Sequence, residues 1–500
     1  MSRIADPSPG HTRIGFLPDR AGPTAAGVLR LALAGAIAIS AVAWVMVFAS
    51  RAHLLHFDAK AHLLVARRVL DSLTPGWTQL GAVWLPLPHI LNVLPAQSDY
   101  LYRSGLFASL LGLAFFVGGV AALGHAAARG TGDPWAGAVA MAVPVLNPEW
   151  LYLQATPMTE PLFLGLVGGL ALFVVRWRVE GRERHLVAAA IASGLACLVR
   201  YEAWPIAAAA ALVVCGRDGG WPSRAAVTRW APLMLGVGLV GPVLLFGLHT
   251  WIATERAFYV IDAGSLTEER GGVTRAVSLL AGGVVEAFGM PLALLAAVAL
   301  ALIVVRRRDP VLAMAAACAG PALVTFTAYL SGHPTKSRYA LLLAPAVALA
   351  LAAATQGRRA AQRGALAVAA LQLLEAPVPL PVIREATRDR AAVAARRPFT
   401  DTFRFRYRGG RLLASMGSTA PVLFETGLPL REVVHEGNGH YWASAVVDPA
   451  RFVSWVLVSD GDALDQVRTY RRAFPEGFVP VWSGASLTLY ARQDASAATR

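Results

Sequence analysis

Long apolar runs recur through the first three quarters of the chain and alternate with short polar segments. The first run, Leu31 to Ser50, contains no charged residue and has the length of about 20 residues that a helix needs to cross a bilayer. The whole pattern predicts a polytopic α-helical membrane protein with about eleven transmembrane helices. We place the predicted spans at residues 31–50, 104–124, 135–147, 158–175, 186–199, 204–215, 231–250, 284–305, 311–330, 339–355 and 365–383.

The pattern changes after about Phe399, where short runs of β-forming residues are separated by Gly, Asp and Asn turns. The runs predict strands at Arg411–Ser415, Pro421–Phe424, Trp455–Val458, Phe478–Val481 and Ser486–Ala491, with a helix at Leu464–Phe474. We therefore divide the chain into a cytoplasmic leader (1–30), a transmembrane domain (31–383) and a small soluble α/β domain (384–500).

Composition agrees with a membrane protein and argues against a nucleic-acid-binding one. Of the 500 residues, 56% are hydrophobic and 15% are charged, whereas soluble proteins carry about 25% charged residues. The net charge of +14 comes from basic clusters between hydrophobic runs, which is the pattern that fixes membrane topology. The three cysteines lie in or beside apolar runs and predict no disulfide framework.

Charge also predicts the orientation. Arginines cluster in alternate loops, at positions 176–184, 217–229, 306–308 and 358–363. The positive-inside rule makes these loops cytoplasmic, together with the N-terminus. The loops 51–103, 148–157, 200–203, 251–283 and 331–338 then face outward, and an odd number of spans places residues 384–500 outside as well. We expect an inner-membrane protein whose site is extracytoplasmic.

The first outward loop contains the leading candidate residue, Asp58. It follows the first span by a few residues and begins a predicted amphipathic helix that continues to about Ser72. His62 lies four residues further on and shares a helical face with Asp58, and His56 precedes it. An aspartate at this position can also simply cap the helix N-terminus.

The other outward loops contribute further charges. Glu160 stands at the mouth of a span, as a second acid or as an exposed first-turn residue favoured by the helix dipole. Arg200 and Glu202 form either part of the site or an interfacial ion pair. Lys336 and Arg338, followed by Tyr339, are cations in a short outward loop, where orientation rules do not require them, although such side chains can also snorkel to the interface.

A divalent metal is an open alternative for the acidic residues. Imidazole and carboxylate groups both bind divalent ions, so His56 and His62 can be combined with Asp58 and Glu160 around one ion. The spacing of these residues matches no specific zinc motif. Metal binding therefore stays undecided by the sequence.

The order of these motifs resembles the GT-C superfamily of membrane glycosyltransferases, and within it the protein mannosyltransferase and aminoarabinose transferase branch. The resemblance rests on the acid soon after the first span, on Met158-Thr159-Glu160-Pro161, on Arg200-Tyr201-Glu202 and on Ser337-Arg338-Tyr339. It covers about residues 30–355. Many relatives have two adjacent acids in the first loop, whereas Phe57-Asp58-Ala59 has one.

The resemblance implies transfer of a sugar from a polyprenyl-phosphate donor to a hydroxyl of a lipid, glycan or protein acceptor, with no required cofactor. Asp58 would be the general base and Glu160 would orient the acceptor or tune Asp58. Arg338 and Lys336 would bind the donor phosphate, with Arg200 as a further candidate, and His56, His62, Glu202 and Tyr339 would support them.

Two other functions compete with this one. A transporter or lipid flippase also keeps charges in outward loops, but it favours charged or broken helices near mid-membrane. A polymerase or ligase of surface polysaccharide would share the lipid-linked substrate.

Overall fold

The structure is a computed structural model that describes residues 23–216, 223–257, 272–306, 308–334, 336, 338–374, 381–471 and 477–493. Several sequence predictions fall partly outside the described residues. They are the leader up to residue 22, residues 258–271 of the fourth outward loop, Ser337, residues 375–380 of the last span and residues 472–474 of the predicted C-terminal helix.

Up to residue 406, the described part of the chain contains helices and connecting loops and no strand. The α-helices in the described part of this region are α1 (Pro23–Ala49), α2 (Phe57–Arg68), α3 (Leu87–Asn92), α4 (Asp99–Ser104), α5 (Leu106–Thr131), α6 (Pro134–Val145), α7 (Pro148–Leu153), α8 (Glu160–Glu180), α9 (Glu183–Cys197), α10 (Ala203–Cys215), α11 (Arg224–Leu235), α12 (Gly241–Thr254), α13 (Val273–Phe288), α14 (Met290–Ala301), α15 (Pro310–Ala317), α16 (Pro321–Leu330), α17 (Arg338–Leu341), α18 (Ala344–Thr355), α19 (Arg359–Leu374) and α20 (Pro381–Arg406).

Several of these helices are long and apolar enough to cross a membrane. Among the described residues there are five such segments: Ala26–Ala49, Leu106–Thr131, Glu160–Glu180, Arg224–Thr254 and Pro310–Leu330. A sixth span is possible if α13 and α14, which meet at 114°, count as one. Helices α6, α10 and α18 are apolar but shorter. The chain is thus a helical membrane protein, and the number of eleven spans stays a prediction.

Glycines let the long helices α5 and α8 approach each other closely. A Cβ atom added to Gly168 would lie 2.7 Å from the carbonyl oxygen of Gly119, and one added to Gly119 would lie 2.7 Å from that of Leu164. Small residues at such crossings allow backbone-to-backbone packing in membranes. This contact packs the first half of α8, the helix that begins at Glu160, against α5.

The C-terminal part contains a mixed sheet. In the described residues the strands are β1 (Leu412–Ala414), β2 (Val433–Val434), β3 (Trp455–Ser459), β4 (Phe478–Gly484) and β5 (Leu487–Arg492), in the order β2-β1-β3-β5-β4. Strand β1 runs parallel to β2 and β3, and β5 runs antiparallel to β3 and β4. The accompanying helices are α21 (Met416–Thr426), α22 (His440–Val447), α23 (Pro449–Phe452) and α24 (Ala463–Arg471).

One strand prediction is wrong. Pro421–Phe424 belongs to helix α21, because a run of four apolar residues fits the buried face of a helix as well as a strand. Gly427 adopts φ 73° directly after this helix, as glycine commonly does at a helix end.

The first outward loop is packed against the C-terminal part. Buried Lys60 of α2 donates to Glu425 of α21 at 2.5 Å, and Arg396 of α20 contacts the same carboxylate at 3.0 Å. Helix α20 itself crosses residue 384, at which the sequence placed the domain boundary. The helix carrying Asp58 is therefore tied to α21 and, through the shared Glu425 carboxylate, to α20.

We expect Gly168→Ala to destabilise the protein by about 1–3 kcal/mol, the usual cost of overpacking a tight contact. Gly169→Ala is the matched control, because the nearest atom to a Cβ at Gly169 is the Ala192 Cβ at 4.0 Å. It should be neutral, or stabilising by up to about 1 kcal/mol through helix propensity. Thermal unfolding in detergent measures both variants, and equal midpoints would contradict the close-packing interpretation.

Candidate active site

Asp58 forms an ion pair with Arg338. It is the second residue of α2, and its carboxylate accepts a hydrogen bond from the Arg338 guanidinium at the start of α17. The cap position belongs to His56, so the reading of Asp58 as a simple N-cap is wrong. Asp58 is 24% exposed and Arg338 is 9% exposed, which leaves the carboxylate reachable at the edge of the site.

Glu160 connects this pair to a second arginine. Its Oε1 atom lies 3.0 Å from Arg200 Nη1 and 3.9 Å from Arg338 Nε. The Glu160 side chain is fully buried, so the reading of it as an exposed first-turn residue is wrong. Glu160 thus lies between two guanidinium groups.

Arg200 binds Glu202 as well as Glu160. Its Nε and Nη2 atoms donate to the Glu202 carboxylate at 3.2 and 3.0 Å, in the two-pronged geometry that arginine forms with carboxylates. The Tyr339 ring centroid lies 5.8 Å from the Arg200 guanidinium carbon. The structure therefore joins the acids and arginines in an alternating chain, Asp58–Arg338–Glu160–Arg200–Glu202, which we call the charge chain.

The charge chain lowers the pKa of Asp58. Burial by itself would raise this pKa, but the Arg338 charge, aided by His62 and Lys336, outweighs burial and lowers it to about 2. Asp58 is therefore ionised at neutral pH.

Lys336 lies outside the charge chain and faces a cavity. Its ammonium contacts Glu385 of α20 at 2.6 Å. Both residues line a cavity of about 370 Å³, together with Glu286, Arg384 and Arg388. Of the predicted phosphate-binding cations, Lys336 borders this space, whereas Arg338 and Arg200 are paired with acids.

Sequence reasoning missed the charges of α20. Arg384, Glu385 and Arg388 follow the last predicted span, and we assigned them to the C-terminal domain. The available signal was their helical spacing, because residues 384, 385 and 388 fall on neighbouring positions of one helix face. Only the fold brings that face to the outward loop containing Lys336.

The two predicted histidines have different surroundings. His56 Nδ1 lies 3.9 Å from Asp389 of α20, and the same carboxylate accepts the Phe57 backbone N–H at 2.9 Å. His62 Nδ1 lies 2.9 Å from Nε2 of His89, which the sequence did not assign to the site. Burial lowers the pKa of His62 to about 4 despite the Asp58 and Glu160 charges, so the ring is neutral at pH 7.

The metal alternative receives no geometric support. Among the residues that the structure describes, no group of three or more His, Cys, Asp or Glu side chains is arranged to hold a metal ion. The absence of a required cofactor stays a prediction.

Comparison with known proteins identifies the fold. No known family model and no curated protein matches the sequence. The crystal structure of ArnT from Cupriavidus metallidurans bound to undecaprenyl phosphate matches with a TM-score of 0.60 and 14% identity, covering 93% of this chain and 98% of that one. Its apo form matches with a TM-score of 0.61 and 15% identity, over 94% and 99% of the two chains. The chain therefore has the same fold as ArnT. At this identity the likeness establishes the fold, and the activity has to be argued from the site.

We expect Arg338→Gln to raise the pKa of Asp58 from about 2 to its ordinary value of 3.8 or above, because burial then acts without its main opposing charge. The protonated carboxyl would appear at higher pH as a C=O band in infrared acid titration. The band is assigned by its loss in the Asp58→Asn/Arg338→Gln double variant. An unchanged titration would show that Arg338 does not control Asp58.

Proposed function

We propose that this protein is an integral-membrane glycosyltransferase. It moves a sugar from a polyprenyl-phosphate donor to an acceptor hydroxyl at the outer face of the membrane. The observation that carries the proposal is an ionised, partly exposed carboxylate, Asp58, that pairs with Arg338 on a GT-C fold. Arg338 follows Lys336 by two residues, and Lys336 lines a cavity together with further cations. Both reacting partners of a sugar transfer, a hydroxyl and a lipid phosphate, find a complementary group there.

Asp58 is the proposed general base. As the acceptor oxygen attacks the anomeric carbon, the hydroxyl proton moves to the free oxygen of the Asp58 carboxylate. The bond between the anomeric carbon and the phosphate oxygen breaks, and its electron pair leaves with the polyprenyl phosphate. Arg338 holds Asp58 in position and keeps it ionised, and buried Glu160 holds Arg338 in turn.

Lys336 is the proposed principal ligand of the donor phosphate. Its ammonium borders the cavity, where Arg384 and Arg388 add positive charge. Cations preorganised in this way stabilise the charge that develops on the departing phosphate. Arg338 and Arg200 contribute to phosphate binding through the electrostatic attraction of their positive charges, while their hydrogen bonds hold the acids. ArnT, which has the same fold, was crystallised with undecaprenyl phosphate, and this supports the choice of donor class.

The outward location of the site is part of the proposal. The charge chain joins the segment after α1, the start of α8 and the two loops at Arg200 and Arg338, all of which the arginine distribution assigns to the outer side. In intact spheroplasts, where added protease reaches only the outer face of the membrane, a tag on the N-terminus should be protected from digestion.

We expect Asp58→Asn to reduce sugar transfer by about 10²–10⁴-fold, the usual contribution of a general base. Release of polyprenyl phosphate from a panel of polyprenyl-phosphate sugars measures the transfer. Asp401→Asn is the matched control, because Asp401 is a solvent-exposed carboxylate on α20. Near-normal turnover in the Asp58 variant would exclude Asp58 as base. Movement of the intact donor without release would favour a flippase.

We expect Lys336→Met to raise the KM for the donor by about tenfold, because a charge-assisted hydrogen bond to phosphate is lost. The kcat at saturating donor should change less than KM. Steady-state kinetics over a range of donor concentrations separates the two constants. An unchanged donor KM would remove Lys336 from the phosphate site.

A further inference from the structure

The contact between Lys336 and Glu385 occupies the position that the proposed function gives to the donor phosphate. The two charged atoms are 2.6 Å apart, and their side chains are 36% and 26% exposed. Both residues line the cavity of about 370 Å³. A carboxylate of this chain is therefore already bound to the cation that the phosphate needs.

A phosphate and the Glu385 carboxylate cannot both bind Lys336 at low cost. The ammonium has three N–H donors, so the number of hydrogen bonds does not forbid it. However, two anions on one ammonium lie within a few ångströms of each other, and Glu286 adds a third negative charge to the same cavity. Electrostatic repulsion therefore favours an exchange of one anion for the other.

Helix α20 offers the displaced carboxylate another partner. Arg388 lies three residues after Glu385 and lines the same cavity, and residues at this spacing are neighbours on a helix surface. A change of the Glu385 side-chain rotamer is enough for the exchange. The neighbouring contact between Asp389 and the start of α2 stays in place.

We propose that Glu385 is an internal competitor for the donor phosphate at Lys336. The inference rests on the proposed function and adds to it a residue that sets the affinity for the lipid phosphate. Glu385 weakens the binding of the donor and of the polyprenyl phosphate product alike, and its return to Lys336 expels the product after transfer. The residue acts against tight ground-state binding, which by itself does not speed the chemical step.

The test measures binding of undecaprenyl phosphate to the full-length protein in nanodiscs. Glu385→Gln keeps the size of the side chain and removes its charge. We expect it to bind the lipid about two- to tenfold more tightly than the wild type, in keeping with a partly exposed ion pair. This gain in affinity over the wild type should be smaller in 1 M salt, where the charges are screened. Product release should slow, so that added undecaprenyl phosphate inhibits turnover more strongly.

A double-mutant cycle assigns the effect to the pair. In a Lys336→Met background, Glu385→Gln should change the affinity much less than in the wild type, because the shared cation is gone. Asp401→Asn, which removes an exposed acid from the same helix, is the control for net charge and should leave the affinity unchanged. If Glu385→Gln does not fold, Glu385→Asp takes its place in the test. The aspartate keeps the charge with a shorter reach, so we expect an affinity between those of the wild type and of a variant without the charge.

The outcomes separate this inference from the function on which it rests. Equal or weaker binding by the Glu385 variants, with binding by the wild type intact, overturns the competitor role alone. A gain in affinity from Glu385→Gln that is equally large in the Lys336→Met background also overturns the competitor role. A wild-type protein that binds no polyprenyl phosphate overturns the proposed function itself.

Discussion

The site depends on the mutual neutralisation of buried charges. Asp58, Arg338, Glu160, Arg200 and Glu202 alternate in sign, so each buried ion has a partner of opposite charge. Near a membrane an unpaired charge costs several kcal/mol, and removal of one partner leaves the next one uncompensated. The chain of contacts is therefore stable only when all four segments that supply it are packed correctly. The glycine contact between α5 and α8, the helix that begins at Glu160, is part of that requirement.

Helix α20 ties these segments to the C-terminal part. Its first turn is held by buried Glu149, which accepts the Val382 backbone N–H at 2.6 Å. Glu385 and Asp389 then contact the Lys336 loop and the start of α2, and Arg396 reaches the carboxylate that also binds Lys60. Positions 382, 385, 389 and 396 are spaced by 3, 4 and 7 residues, so they lie on one face of the helix. One helix face thus contacts both the segment that carries Asp58 and the cation-lined cavity.

The cations of the site divide into two kinds. Arg338 and Arg200 are buried, and both donate hydrogen bonds to acids. The two-pronged contact of Arg200 with Glu202 uses the fixed geometry of the guanidinium group. Lys336 is partly exposed, and its ion pair with Glu385 lies at the cavity, where an anionic ligand can enter and leave. The cavity is lined by both acids and cations, because Glu286 and Glu385 lie beside its basic residues. Such a cavity holds an anion less tightly than a purely basic one would. Under the proposed function, this balance favours release of the lipid phosphate product.

The sequence by itself determined the membrane class, the GT-C resemblance and most of the charge chain. Apolar run length is read directly from composition, and Asp58, Glu160, Arg200 and Arg338 stand out because charges beside apolar runs are rare. Only the tertiary structure decided which of these charges pair with each other. It also decided that Glu385 reaches Lys336 and that Pro421–Phe424 is helical. The physical reason is that ion pairs such as the one between Asp58 and Arg338 join residues 280 positions apart, a separation that neither periodicity nor local propensity can register.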